Sequence, residues 1–145
     1  MARVWSPLAT GDIIMTEDAA DLGNKRIRVL VVEDEPLIAF DLISEIESGN
    51  HDVVGQCATA AKAISLAETL KPDIIVMDIG LMGQADGLDA AREIRTRFGI
   101  GCIFVSATLD RVAPEQWHEI DPVALIRKPY RDDALDKAIS RAVTG

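Results

Sequence analysis

An open parallel α/β sheet covered by helices on both faces is the fold class this sequence predicts. Short runs rich in β-branched and apolar residues, such as Ile27 to Val32, apolar but for Arg28, and Cys102 to Val105, are the pattern of strands buried on both faces. They alternate with segments whose apolar residues fall at helical spacing. The chain has 145 residues, enough for one domain with a sizeable core and too few for a two-domain enzyme.

The elements follow in order. Residues 1 to 26 mix turn formers and charges, as in Ser6-Pro7, Gly11-Asp12 and Thr16-Glu17-Asp18, and are expected to form a mobile extension ahead of a domain spanning 27 to 145. The first strand is Ile27 to Val32. Ala39, Leu42, Ile43 and Ile46 then mark a helix that Gly49-Asn50 ends. Asp52 to Cys57 reads as strand, Thr59 to Leu70 as helix, and Asp73 to Met77 as strand after Pro72. A glycine-rich loop from Gly80 to Gly87 leads to a helix carrying Ala91, Ile94 and Phe98. The strand Cys102 to Val105, a helix over about 111 to 119, a short strand Val123 to Ile126 and a last helix with Ala134, Leu135, Ala138, Ile139 and Ala142 complete the pattern. Five strands alternating with five helices imply right-handed crossovers throughout.

Composition excludes several functions. With 15 Lys and Arg against 24 Asp and Glu, the formal charge of -9 repels phosphate backbones, so direct nucleic-acid binding is not expected. No apolar run approaches the roughly 18 residues that span a bilayer, and no leader pattern opens the chain, so a cytoplasmic protein is expected. Cys57 and Cys102 sit in apolar segments without a second ligand nearby and read as reduced core thiols. His51 and His118 are isolated, which leaves zinc sites and Ser/His/Asp triads poorly supplied. Carboxylates must carry the chemistry.

Open parallel sheets bind ligands beyond the carboxyl ends of their strands. Here the first strand ends in Glu33-Asp34-Glu35, the third in Asp78, the fourth in Ser106 and the fifth in Lys128-Pro129. Converging carboxylates repel one another, and Mg²⁺ is the usual remedy where waters remain. A carboxylate flanked by Mg²⁺, an ammonium and a hydroxyl can attack phosphorus and stabilise charge on the transferred oxygens. Each residue alone has a plainer reading: the acidic run as a solvated strand end, Asp78 as a turn cap, Lys128 as a loop residue. Their joint placement at the ends of the appropriate strands makes a site the better account.

In these residues the chain resembles the response-regulator receiver domains of two-component signalling, over residues 27 to 145. The resemblance implies a flavodoxin-like sheet of order 2-1-3-4-5 flanked by five helices. It implies that Asp78 is the phosphoacceptor and that Glu33, Asp34, Asp78 and the carbonyl of Gly80 hold Mg²⁺. Ser106 takes the hydroxyl position and Lys128 the phosphate-contacting position. The partners it implies are a histidine kinase or histidine phosphotransfer protein and a downstream protein target, with no membrane and no direct nucleic acid. Such a domain is a phosphoacceptor that catalyses its own phosphotransfer and dephosphorylation rather than an enzyme acting on a separate substrate.

Two features depart from the family pattern. No Met-Pro pair follows Asp78, where the sequence continues Gly80-Leu81-Met82-Gly83, and Leu125 stands where an aromatic switch residue is usual. A leucine has no polar tip, so the output movement is expected to differ. Lys128-Pro129 is a candidate cis peptide. Since the sequence stops at Gly145, a stand-alone receiver is expected, acting by docking or by phosphate relay. Trp117 is either part of a docking surface or partly buried core. The alternatives are a receiver-like binding module that is no longer phosphorylated, and a flavin- or nucleotide-binding protein. The acidic turn after the first strand speaks against the latter, because a phosphate cradle needs glycines and free N–H groups.

Overall fold

The computed structural model describes the backbone of residues 3–7, 13–17, 26–79 and 84–144. Strands β1 (Arg3–Pro7) and β2 (Ile13–Glu17) pair antiparallel, with Trp5 opposite Met15. Sequence reading assigned no strand to residues 1 to 26. The β-formers Val4, Trp5, Ile13 and Ile14 on either side of Gly11-Asp12 supply a hairpin pattern that the charges and turn formers around them mask.

The main sheet is parallel. Its strands are β3 (Arg28–Val32), β4 (Asp52–Cys57), β5 (Ile74–Asp78), β6 (Gly101–Ser106) and β7 (Ala124–Arg127), in the order β4-β3-β5-β6-β7. Numbered from β3, this is the expected order 2-1-3-4-5. Cys57 and Cys102 are free and buried on strands separated by two others. That spacing is far beyond the roughly 7 Å reach of a disulfide.

Alternation along the strands divides the core. Leu30, Val32, Ile75, Met77, Cys102 and Phe104 face one side, with α2 (Ala60–Leu70), α3 (Gln84–Phe98) and α4 (Pro114–Ile120). Val29, Val31, Ile74, Val76, Ile103 and Val105 face the other, with α1 (Pro36–Ser48) and α5 (Ala134–Thr144). This period of two explains why the strands read as unbroken apolar runs: both faces are covered. Trp117 is partly buried and packs on Phe104 with ring centroids 5.0 Å apart, which settles it as core.

Local signals set the helix boundaries. Pro36 and Pro114 occupy the first turns of α1 and α4, where no N–H partner is lost. Thr59 caps α2 by accepting the Lys62 N–H at 3.2 Å. Two expectations are corrected. The stretch to Gly87 is not all loop, because α3 begins at Gln84. A Cβ on Gly87 would lie 3.1 Å from the Met77 sulfur, so this glycine lets α3 lie close on β5. The expected helix over 111 to 119 divides into a 3₁₀ turn, Leu109–Arg111, and α4, because Pro114 must begin a helix rather than continue one.

Candidate functional site

The carboxyl ends of β3, β5, β6 and β7 bring the expected residues to one rim. Val32 pairs with Met77, so Glu33 and Asp78 follow as neighbours on adjacent strands. On the other side of β5, Asp78 pairs with Val105, one residue before Ser106. Ser106 pairs in turn with Arg127, one residue before Lys128. Register therefore places Asp78 between the acidic pair and the two donors.

Glu33 is the electrostatic focus. Its side chain is buried at 4% exposure, its Oε1 accepts the Glu35 N–H at 2.9 Å, and its Oε2 has no partner. Burial chiefly pushes its carboxyl from 4.5 up to about 7, and the neighbouring carboxylates of Asp34 and Asp78 act in the same direction. Asp34 beside it is exposed. Gln56, a residue without a sequence signal, donates to the Glu33 carbonyl at 3.1 Å and so fixes this strand end.

Lys128 donates from Nζ to Oδ2 of Asp78, and the peptide it forms with Pro129 is cis, as the sequence suggested. Ser106 is buried and contacts not Asp78 but the backbone after it, donating to the Ile79 carbonyl at 2.8 Å. Leu125 is 41% exposed and presents no polar group to the rim. Tyr130, two residues beyond Lys128, donates to Glu45 on α1 at 2.6 Å. Its position as the chain's one tyrosine, next to Lys128-Pro129, was the available signal. Burial, then the Glu45 carboxylate, hold its phenol in the neutral form.

Among the described residues, no three His, Cys, Asp or Glu side chains form a ready metal cage. Gly80, expected to add a carbonyl ligand, lies outside the described residues. What is present still fits a hard divalent cation. An unpartnered buried carboxylate oxygen beside the carboxylates of Asp34 and Asp78 is the oxygen donor set that such a cation takes.

Comparison with known proteins identifies the family and the fold. Residues 29–140 match the sequence model described as the response regulator receiver domain. The phyllosphere-induced regulator PhyR of Methylorubrum extorquens is 35% identical over 128 residues, covering 88% of this chain and 46% of that protein. The transcriptional regulatory protein PdtaR of Mycobacterium tuberculosis is 34% identical over 117 residues, covering 81% of this chain and 57% of that protein. The crystal structure of the anti-anti-sigma factor PhyR from Bartonella quintana superposes with a TM-score of 0.71 at 33% identity, covering 87% of this chain and 51% of that one. The chain thus spans about half the length of the curated relatives it matches.

Proposed function

The chain belongs to the response regulator receiver domain family, and we propose that it is a Mg²⁺-dependent phosphorylation switch whose phosphoacceptor is Asp78. The carrying observation is the placement of Asp78, its side chain 7% exposed, between the acidic pair of buried Glu33 and exposed Asp34 and the ammonium of Lys128. Residues 27 to 145 form the receiver in this reading, with residues 1 to 26 as an extension before it. Among the described residues no helix is long and apolar enough to cross a membrane, which fits action on cytoplasmic partners.

The donor is a phosphohistidine of a histidine kinase or histidine phosphotransfer protein. A carboxylate oxygen of Asp78 attacks phosphorus, the P–N bond breaks as the P–O bond forms, and the imidazole leaves with the electron pair. Lys128 already holds Oδ2, which leaves Oδ1 as the attacking oxygen. Once the acyl phosphate exists, the Lys128 ammonium can follow the negative charge outward onto a phosphoryl oxygen. Glu33, Asp34 and Asp78 would hold Mg²⁺, which supplies charge neutralisation at the phosphoryl oxygens when bound. Hydrolysis by water returns Asp78 and releases inorganic phosphate. Output passes to a protein partner, since a chain of charge -9 is a poor ligand for nucleic acid.

The test is transfer from a panel of histidine kinases, and from acetyl phosphate with Mg²⁺, to the wild type and to Asp78→Asn. Incorporation in the wild type alone is expected. A folded wild type that accepts phosphate from none of these donors would leave the alternative, a receiver-like module acting through protein contact.

A further inference from the structure

The Ser106 hydroxyl has one proton and two lone pairs, and the structure engages all three. Its proton goes to the Ile79 carbonyl, which can only accept, at 2.8 Å. The backbone N–H of Thr108 donates to Ser106 Oγ at 3.0 Å. Thr108 Oγ1 lies 3.0 Å from the same oxygen. Because the single Ser106 proton is already committed, the threonine hydroxyl must be the donor in that last contact. Ser106 is thus saturated, at 2% exposure, in an orientation that serves Ile79 and not the carboxylate of Asp78.

We infer that Thr108 is a positioning residue of the phosphorylation switch, locking the Ser106 hydroxyl onto the Ile79 carbonyl until a phosphoryl group on Asp78 competes for it. This rests on Asp78 being the phosphoacceptor. To donate to a phosphoryl oxygen, Ser106 must withdraw its proton from a buried carbonyl and give up two hydrogen bonds from Thr108. The resting lock therefore sets part of the cost of switching. It also gives the switch a route outward. The Thr108 carbonyl accepts the Arg111 N–H at 3.0 Å, closing the 3₁₀ turn, and Asp110 of that turn pairs with Arg127 on β7 at 3.2 Å. Release of Thr108 frees this turn to move at the edge of the sheet without an aromatic residue at position 125.

The experiment is calorimetric titration of the full chain with beryllofluoride in the presence of Mg²⁺. Thr108→Val keeps the shape and the amide but removes the hydroxyl, so the resting state loses one hydrogen bond. Beryllofluoride affinity should rise about fivefold. Thr108→Ser restores the donor and should return affinity to the wild-type value. In a Ser106→Ala background, Thr108→Val should change nothing, and Mg²⁺ affinity without beryllofluoride should be equal in all Thr108 variants. If Thr108→Val fails to fold, Thr108→Ala takes its place with the same expected gain. Unchanged or weaker binding by the hydroxyl-free variant, no rescue by serine, or an equal gain without Ser106 would each overturn the inference. A folded wild type that binds no beryllofluoride at all removes the phosphoacceptor reading and this inference with it. Binding by the wild type with no effect at Thr108 removes the inference alone.

Discussion

Lys128 and Asp78 form an ion pair that reaches over β6, joining the residue after β7 to the last residue of β5. The aspartate side chain is 7% exposed and the lysine side chain 31%. The pair therefore sits where a lone carboxylate is costly and a compensated one is tolerated.

Removing the lysine should expose that cost. Lys128→Ala is expected to destabilise the metal-free protein by about 2 kcal/mol, since it strands a nearly buried carboxylate beside Glu33. In an Asp78→Asn background the same substitution should cost much less, because a neutral amide needs no counter-charge. Urea unfolding of the four proteins in a chelator completes the cycle. Equal costs in both backgrounds would contradict the pairing.

Glu33 gives the domain a pH dependence. Its folded-state carboxyl titrates at about 7, above its ordinary 4.5, so the folded chain holds the proton more tightly than the unfolded one. The associated stability is complete below the unfolded value and is lost as pH rises through the folded value. Glu33→Gln stays neutral and should escape that decline. Unfolding midpoints without divalent cations should favour the variant increasingly between about pH 5 and about pH 7.5. With Mg²⁺ the order should reverse, because the ionised carboxylate is then a ligand. A wild type whose stability falls no faster than that of the variant would refute the shift.

Asp34 is exposed, and Asp34→Ala should leave the fold intact. Its Mg²⁺ affinity should fall by more than the roughly 10-fold that changes behind a metal ligand cost. Relief of repulsion near Glu33 and Asp78 should leave the metal-free melting temperature unchanged or higher. Calorimetry showing equal Mg²⁺ affinity in both proteins would remove Asp34 from the ligand set.

The response to phosphorylation should be centred on residues 106 to 120, since Leu125 can only repack. Amide exchange with and without beryllofluoride should change in this segment and at Lys128. A wild type that binds beryllofluoride without any change between residues 106 and 130 would disprove this account of output.

The fold was legible because both faces of the sheet are covered: Val29 to Val32 and Ile74 to Met77 must then be apolar at every position. The rim was legible because strand ends place chemistry, so Glu33, Asp34, Asp78, Ser106 and Lys128 could be found from strand boundaries alone. What stayed hidden depends on side-chain direction and not on position. Nothing in a one-dimensional pattern shows that Ser106 turns to Ile79, that Thr108 completes its hydrogen bonds, or that Gln56 reaches the Glu33 carbonyl. The start of α3 was obscured by Gly87, which reads as a loop former until the nearness of Met77 explains why a helix needs it there. The β1–β2 pairing was obscured by the surrounding charge.

Two hydrogen bonds join α1 and its end to the last part of the domain, Glu45 with Tyr130 and His51 with Asp136, each linking residues 85 positions apart. On the same face, Leu135 and Ile139 of α5 complete the packing around Val29 and Val31 of β3. The first core strand to be synthesised thus finds its cover in the last helix. Ribosomes add roughly 5 to 20 residues each second, so β3 and α1 wait several seconds outside the exit tunnel with one apolar face unsatisfied. This domain should be most exposed to chaperones and to aggregation during its own translation, and a ribosome stalled before Leu135 should hold a chain that resists neither.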